Sequence, residues 1–181
     1  MAILQAASLL ALVALAAAQC PPEFTAYGNN ACYLPVAEKR SWEEAERFCN
    51  SYSSCSSGKL AHLASIHTEM ENNFVTMLYN SLYFQQPEQF WIGYNDRQTQ
   101  GTFVWSDGWT YEPSAQPFTK FITPPNAFTP GDCTAVEGNM ALQNMGMWQV
   151  TDCSRRLAFI CIAEDEPSME CPAFPGQSRP V

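Results

Sequence analysis

The sequence has few histidines, the residues that most often serve as metal ligands and general bases. It contains two histidines, His62 and His67, and neither lies at a zinc-ligand spacing from a pair of cysteines. No Cys-x-x-Cys pair occurs, so a structural zinc ion is not expected. No motif joins a nucleophile to a base, and no pair of acids suggests hydrolysis. The sequence therefore predicts a protein that is not an enzyme and has no catalytic residue.

Positive charge is also scarce. Nine lysines and arginines stand against eighteen aspartates and glutamates, which gives a net charge of −9. A chain of this sign repels nucleic acid and anionic membranes, so neither is an expected partner. No Asn-x-Ser/Thr sequon is present, and N-glycosylation is not expected.

Only one long apolar run occurs in the chain. Residues 2–18 carry no charge, and Ala16 and Ala18 fit the small-residue pattern before a signal-peptidase cleavage site. A membrane anchor is the alternative, but the run is short and lacks a basic flank. We expect a signal peptide at 1–18, a folded domain at 19–163 and an acidic, Pro-rich tail at 164–181, in a protein that is secreted to the extracellular space.

All eight cysteines follow the apolar run. An even number of cysteines in an exported chain predicts four disulfides. They are Cys20, Cys32, Cys49, Cys55, Cys133, Cys153, Cys161 and Cys171.

Two segments have the apolar spacing of amphipathic helices. The first begins at Ser41 and the second at Thr68, and each has a glutamate three residues later, as in a capping box. The expected buried faces are Trp42, Ala45, Phe48 and Cys49 in the first helix and Phe74, Val75, Leu78 and Leu82 in the second.

Short apolar or aromatic runs predict strands around these helices. They cover 31–36, 90–96, 102–108, 146–150 and 156–163, and His62 lies in a further short one. Between 109 and 132 the chain has five prolines and few regular signals, so we expect a long ordered loop of functional importance. Its aromatic rings either form an exposed contact patch or pack the loop against itself. These rings are Tyr111, Phe118, Phe121 and Phe128.

Several motifs together resemble the C-type lectin-like domain family over about residues 20–163. They are "WIGY" at 91–94, "VWSDG" at 104–108, the order of the cysteines, and Trp148 five positions before Cys153. The resemblance implies an α+β fold with two helices, a split antiparallel sheet and a long loop. It also implies the disulfides Cys49–Cys161, Cys133–Cys153 and Cys20–Cys32, which leaves Cys55–Cys171 by exclusion.

Sugar-binding members of this family hold a calcium ion in the long loop, and calcium takes about 6–8 oxygen ligands. The ligands come from a Glu-Pro-Asn or Gln-Pro-Asp tripeptide, a glutamate shortly before the third cysteine, and an Asn-Asp pair after the tryptophan. The residues of this chain at those positions are Pro124, Pro125 and Asn126, then Gly131, then Gln149 and Val150.

Only Asn126 keeps an expected oxygen ligand, and the longer side chain of Gln149 would displace its oxygen. A second candidate for the tripeptide, at 116–118, has Phe118 in place of the aspartate. Asp132 matches an accessory acidic position but is more easily explained as a surface residue. We therefore expect no calcium or other metal at the usual site and no cofactor. Trp148 matches a core position of the family. The remaining candidate ligand contacts are Asn126, Asp132, Trp148 and Gln149.

The chain also resembles the lectin-like matrix proteins of sea-urchin skeletal spicules. The shared features are the second cysteine in "FCNSYSSC", the Pro-rich loop and the Pro/Gly-containing tail. This resemblance implies an extracellular matrix or calcium carbonate mineral surface as the partner. Two alternatives stay open, a glycan-binding lectin with a divergent site and a protein-binding module. The sequence does not determine the oligomeric state.

Overall fold

The computed structural model of the chain describes residues 20–21, 23–28, 31–53, 58–83, 88–112, 114–139 and 141–164, with the side chain of Glu164 left out. The expected signal peptide, the expected pair Cys55–Cys171 and the tail from residue 165 lie outside these ranges and stay predictions. Within the described ranges, no helix is long and apolar enough to cross a membrane.

Two helices and eight strands form the described part of the chain, which confirms the predicted α+β class. In chain order they are β1 (Thr25–Tyr27), β2 (Ala31–Arg40), α1 (Trp42–Cys49), β3 (His62–Leu63), α2 (Glu69–Tyr83), β4 (Phe90–Asn95), β5 (Val104–Trp105), β6 (Cys133–Val136), β7 (Trp148–Thr151) and β8 (Leu157–Glu164).

The strands form one sheet in the order β1-β2-β8-β4-β6-β7, with β3 added to β8 and β5 added to β4. The pairing of β4 with β8 is parallel, with Phe90 opposite Ala158 and Trp91 opposite Phe159. The other pairs among these strands are antiparallel. The expected antiparallel sheet is therefore a mixed sheet. Parallel neighbours need a long crossover, and here β5, the long loop, β6 and β7 intervene between β4 and β8.

The two helix starts differ. In α1 the Ser41 hydroxyl accepts from the Glu44 N–H at 3.4 Å and the Glu44 carboxylate accepts from the Ser41 N–H at 3.0 Å, so the capping box is confirmed. In α2 the Thr68 hydroxyl accepts from the Glu71 N–H at 3.1 Å, but the Glu71 carboxylate accepts from the N–H of His67 at 2.6 Å. The second capping box is therefore only half formed.

The expected apolar face of α2 was partly wrong. Leu82 is exposed, whereas the polar residues Asn72, Thr76 and Asn80 are buried. Burial of polar groups requires hydrogen-bond partners, and the side chains of Asn72 and Thr76 have them. The Asn72 amide donates to the carbonyl of Gly146 at 3.0 Å, and the Thr76 hydroxyl donates to the Asn72 carbonyl at 2.8 Å. Helical spacing of apolar residues cannot reveal such a face.

Three disulfides join the elements of the described part: Cys20–Cys32, Cys49–Cys161 and Cys133–Cys153. They are the three pairs that the family resemblance implies. The second connects the end of α1 to β8 across 112 residues of sequence. A cross-link of that span stabilises a fold by on the order of 4–5 kcal/mol in the chain-entropy account. The third holds the end of the long loop to the end of β7.

Candidate functional site

The long loop returns to the sheet beside β7. Phe121 forms a bridge with Trp148, the Trp148 N–H donates to the Lys120 carbonyl at 2.8 Å, and the Ile122 N–H donates to the Trp148 carbonyl at 3.0 Å. These bonds fix the loop segment 120–122 next to the strand that carries the expected site residues.

Trp148 is fully buried, as its core position predicts. Its indole N–H donates to the side-chain oxygen of Asn72 at 2.7 Å. The rings of Trp105, Phe118 and Phe121 lie within 6 Å of its ring in edge-on contacts. Trp148 thus fastens the long loop to the core and presents no surface to a ligand, so its candidacy as a ligand contact is corrected.

Gln149 lies on the opposite face of β7 and is exposed. Its side-chain oxygen accepts from the Gln89 amide at 3.2 Å. It stands opposite Ala135, which is three residues, or about 10 Å, along β6 from Asp132. Gln149 therefore lies away from Asp132 along the strand, and its side-chain oxygen is used by Gln89.

The side chain of Asn126 and the backbone of Asp132 both take part in bonds that hold the loop. The side-chain oxygen of Asn126 accepts from the Phe128 N–H at 2.8 Å, and its N–H donates to the Thr129 hydroxyl at 2.8 Å. The Asp132 carbonyl accepts from the Asp96 N–H at 3.0 Å. Within the described chain, no hydrogen bond joins any two of the four candidate contacts, and the buried Trp148 and the exposed Gln149 lie on opposite faces of β7.

Gly131 occupies the position of a glutamate ligand in the family pattern. Its φ is +91°, and a Cβ atom on it would lie 2.3 Å from the carbonyl carbon of Thr151 and 2.8 Å from the nitrogen of Asp152. Real Cβ contacts are essentially never this short. The backbone of β7 therefore fills the space that a glutamate side chain would need.

Two other positions of the family's calcium ligands also lack a side-chain oxygen. Val150 is nearly buried and apolar, and Pro124 is exposed without a side-chain oxygen. In the ranges that the structure describes, no group of three or more His, Cys, Asp or Glu residues could hold a metal ion.

The four aromatic rings of the loop do not form one patch. Tyr111, Phe118 and Phe121 are half-buried against the core, whereas Phe128 is 93% exposed. Three of the rings therefore pack against the core, which is neither the exposed patch nor the packing of the loop against itself that the sequence left open.

A partly buried pair of titratable side chains lies between α1 and β3. The Nδ1 atom of His62 is 2.6 Å from the Glu46 carboxylate, which also accepts from the Leu63 N–H at 2.9 Å and from the Asn50 amide at 3.1 Å. The hydrogen bond to Glu46 raises the pKa of His62 against the effect of burial. Burial pushes the pKa of Glu46 up, but the hydrogen bonds it accepts outweigh burial and hold it below its usual value.

Sequence reasoning did not single out Trp109. This side chain is 42% exposed, whereas the other four tryptophans are at most 3% exposed. It directly follows the turn at Asp107-Gly108, in which the Gly108 N–H donates to the Trp105 carbonyl at 3.1 Å. The position of Trp109 just after a strand and an Asp-Gly turn is the sequence signal that would have predicted its exposure.

Comparison with known proteins gives a consistent result. A family model described as the lectin C-type domain matches residues 38–163. The chain is 39% identical to echinoidin of Heliocidaris crassispina over 121 residues, which cover 64% of this chain and 78% of that protein. It is 32% identical to the alpha-N-acetylgalactosamine-specific lectin of Patiria pectinifera over 173 residues, or 89% of this chain and 96% of that one.

Solved structures show the same fold. The C-type lectin CEL-I from Cucumaria echinata superimposes with a TM-score of 0.66 at 27% identity, covering 80% of this chain and 96% of that one. Human lithostathine superimposes with a TM-score of 0.65 at 23% identity, covering 80% and 99%. At that lower identity the likeness shows the fold alone.

Proposed function

Because the chain belongs to the lectin C-type domain family, we propose that it is a secreted, non-enzymatic carbohydrate-binding protein that holds no calcium at the family's usual site. The match spans most of the chain, and the relative that aligns over 96% of its own length is named as a lectin for N-acetylgalactosamine. That sugar is therefore the first to test here.

One observation is the main support for the proposed absence of calcium at this site. The backbone at Gly131 lies directly against Thr151 and Asp152, with no room for any side chain. Calcium needs about 6–8 oxygen ligands, and a site that lacks its glutamate must replace it from elsewhere. Pro124 and Val150 supply no side-chain oxygen, and the oxygen of Asn126 is already used in a turn.

The proposal is tested with a glycan array that includes N-acetylgalactosamine, galactose, mannose and neutral oligosaccharides. The array is read once in millimolar calcium and once in excess EDTA. We expect binding to at least one group of saccharides, with the same pattern and strength in both buffers. Absence of binding to every saccharide contradicts the carbohydrate-binding role. Binding that disappears in EDTA contradicts the calcium-free part.

The predicted role at a mineral surface is a separate and secondary proposal. It depends on the acidic residues Glu164, Asp165, Glu166 and Glu170, whose side chains the structure does not describe. Carboxylates spread over a surface can adhere to lattice calcium by avidity, and added salt screens this attraction. Adsorption to calcite should fall with salt and fall further when these four acids become amides. Equal adsorption by the amide variant would remove the basis of this role.

A further inference from the structure

We propose that a neutral saccharide binds across the exposed face of Trp109, between two clefts that adjoin its indole ring, and not at the tip of the long loop. The inference rests on the proposed carbohydrate binding and assigns its site. Neither the candidate contacts expected from the sequence nor the positions of the family's calcium ligands include any of the residues involved.

Trp109 is held rigidly in place. Its ring stacks on the ring of His67, with centroids 3.8 Å apart and planes at 29°, and meets the edge of Tyr111 at 4.4 Å. Its backbone N–H donates to the carboxylate of Asp107 at 2.8 Å, which holds the turn that carries the ring. An aromatic surface that is already ordered loses little entropy when a ligand binds. The apolar C–H face of a sugar ring can therefore pack on this indole at low cost.

The first cleft has a volume of about 550 Å³, within the range of about 300–1,000 Å³ that is usual for ligand sites. Its apolar walls include Trp109 and Val104, and its polar lining includes Arg97, Gln98 and Ser106. Gln98 is exposed, and its side-chain amide can both donate and accept, which suits the hydroxyl groups of a sugar.

The second cleft has a volume of about 400 Å³ and shares Gly108 and Trp109 with the first. Leu60 forms part of its apolar wall, and His62 and Asp107 belong to its polar lining. A ligand that occupies both clefts must cross the ring of Trp109. This arrangement favours an oligosaccharide over a single sugar.

The charges around the clefts favour an uncharged ligand. Arg97 and Glu46 line the first cleft, and Lys59 and Asp107 line the second, so each cleft has both signs. The guanidinium of Arg97 also lies 3.9 Å from the carboxylate of Glu43, which offsets part of its charge. Hydroxyl-rich neutral saccharides match this lining better than sulfated or carboxylated ones.

A pair of matched variants separates this site from the loop tip. Val104→Arg places a long side chain in the first cleft, and Ile122→Arg makes the same change in the long loop. The two residues are 42% and 45% exposed, so neither substitution removes a core contact. The probe is the array of neutral oligosaccharides, including the blood-group A trisaccharide, which ends in N-acetylgalactosamine. We expect Val104→Arg to weaken binding roughly tenfold or more and Ile122→Arg to change it by less than about twofold.

Two further variants test the ring and the second cleft. Trp109→Ala should abolish most binding, and Leu60→Arg should weaken oligosaccharides more than N-acetylgalactosamine alone. If Trp109→Ala lowers the melting temperature strongly, Val104→Arg and Leu60→Arg decide the question. Unchanged binding by Val104→Arg, or a loss confined to Ile122→Arg, overturns the Trp109 site and leaves carbohydrate binding intact. If the parent protein binds no saccharide on the array, the proposed function itself fails.

Discussion

A Cβ atom on Gly131 would lie 2.5 Å from the carbonyl oxygen of Thr151. This contact joins the end of the long loop to the end of β7, where the family pattern places two groups of calcium ligands. The backbone at this position therefore accommodates a glycine and leaves no space for the glutamate of the family pattern. Restoring the side chain would require β7 or the loop to move.

Gly131→Ala should destabilise the protein by about 2–5 kcal/mol. It places a residue with a Cβ atom at a positive φ, and that Cβ atom clashes with backbone atoms of Thr151 and Asp152. Gly28→Ala is the matched control, since Gly28 also has a positive φ, +64°, but open space around its Cβ position. Urea unfolding of both variants should give a smaller loss for Gly28→Ala, of about 1 kcal/mol. Equal losses would mean that the close approach at Gly131 is absent in solution.

Asn72→Ala should destabilise the protein by about 1–3 kcal/mol, because it leaves the indole N–H of Trp148 without a partner in the core. It also removes the bond to the carbonyl of Gly146 that holds the loop before β7. Asn73→Ala, one residue along on the exposed face of α2, serves as the control and should change stability by less than about 0.5 kcal/mol. If the two variants unfold at the same urea concentration, the buried amide contributes nothing.

Most of the fold was predictable because its signals are local. The helix starts at Ser41 and Thr68 and the aromatic strand at 90–95 follow from capping residues and residue type. The strand β6 was missed because it is only four residues long and has neither alternation nor an aromatic residue, whereas the equally buried β4 is marked by its aromatic rings. The parallel pairing of β4 with β8 depends on the long connection between these strands, which no local sequence pattern predicts.

The site was predictable only in part. The sequence shows which ligand side chains are missing, since Pro124, Gly131 and Val150 can be read directly. It does not show that the backbone of Thr151 fills the space at Gly131, because that contact joins residues distant in sequence. It also does not show that Trp109 is exposed beside two clefts. The other four tryptophans of the chain are buried, and residue type alone does not set Trp109 apart from them as a surface residue.

The pair formed by His62 and Glu46 should make stability depend on pH. Because the folded pKa of His62 is raised, its contribution is complete below about pH 6.5 and fades as the pH rises through the folded pKa. Because the folded pKa of Glu46 is lowered, its contribution is complete above about pH 4.5 and fades as the pH falls. The pair should therefore stabilise the fold most between about pH 5 and 6.5.

Comparison with His62→Gln isolates this effect from His67, whose pKa burial lowers and which therefore acts in the opposite direction. The difference in unfolding free energy between the parent and His62→Gln should shrink as the pH rises from about 6 to 8. Urea unfolding at several pH values measures it. A difference that stays constant over this window would show that the ion pair does not contribute to folding.

The fourth disulfide can be mapped directly. Three bridges leave Cys55 and Cys171 as the remaining cysteines of the chain. Peptide mapping of the unreduced protein should link these two residues and find no free thiol. A peptide that joins Cys55 to any other cysteine, or an alkylated Cys171, would contradict the predicted pairing and leave the tail untethered.

The claim that the long loop holds no calcium is tested most directly by titrating calcium into the EDTA-dialysed protein in a calorimeter. A site with the usual ligands would bind one calcium ion and, at a hundredfold excess over its Kd, would stabilise the fold by about 2.7 kcal/mol. We expect no saturable heat at calcium concentrations up to the millimolar range, with the same melting temperature in calcium and in EDTA. A saturable signal for one ion per chain, with a melting temperature that falls in EDTA, would contradict the account.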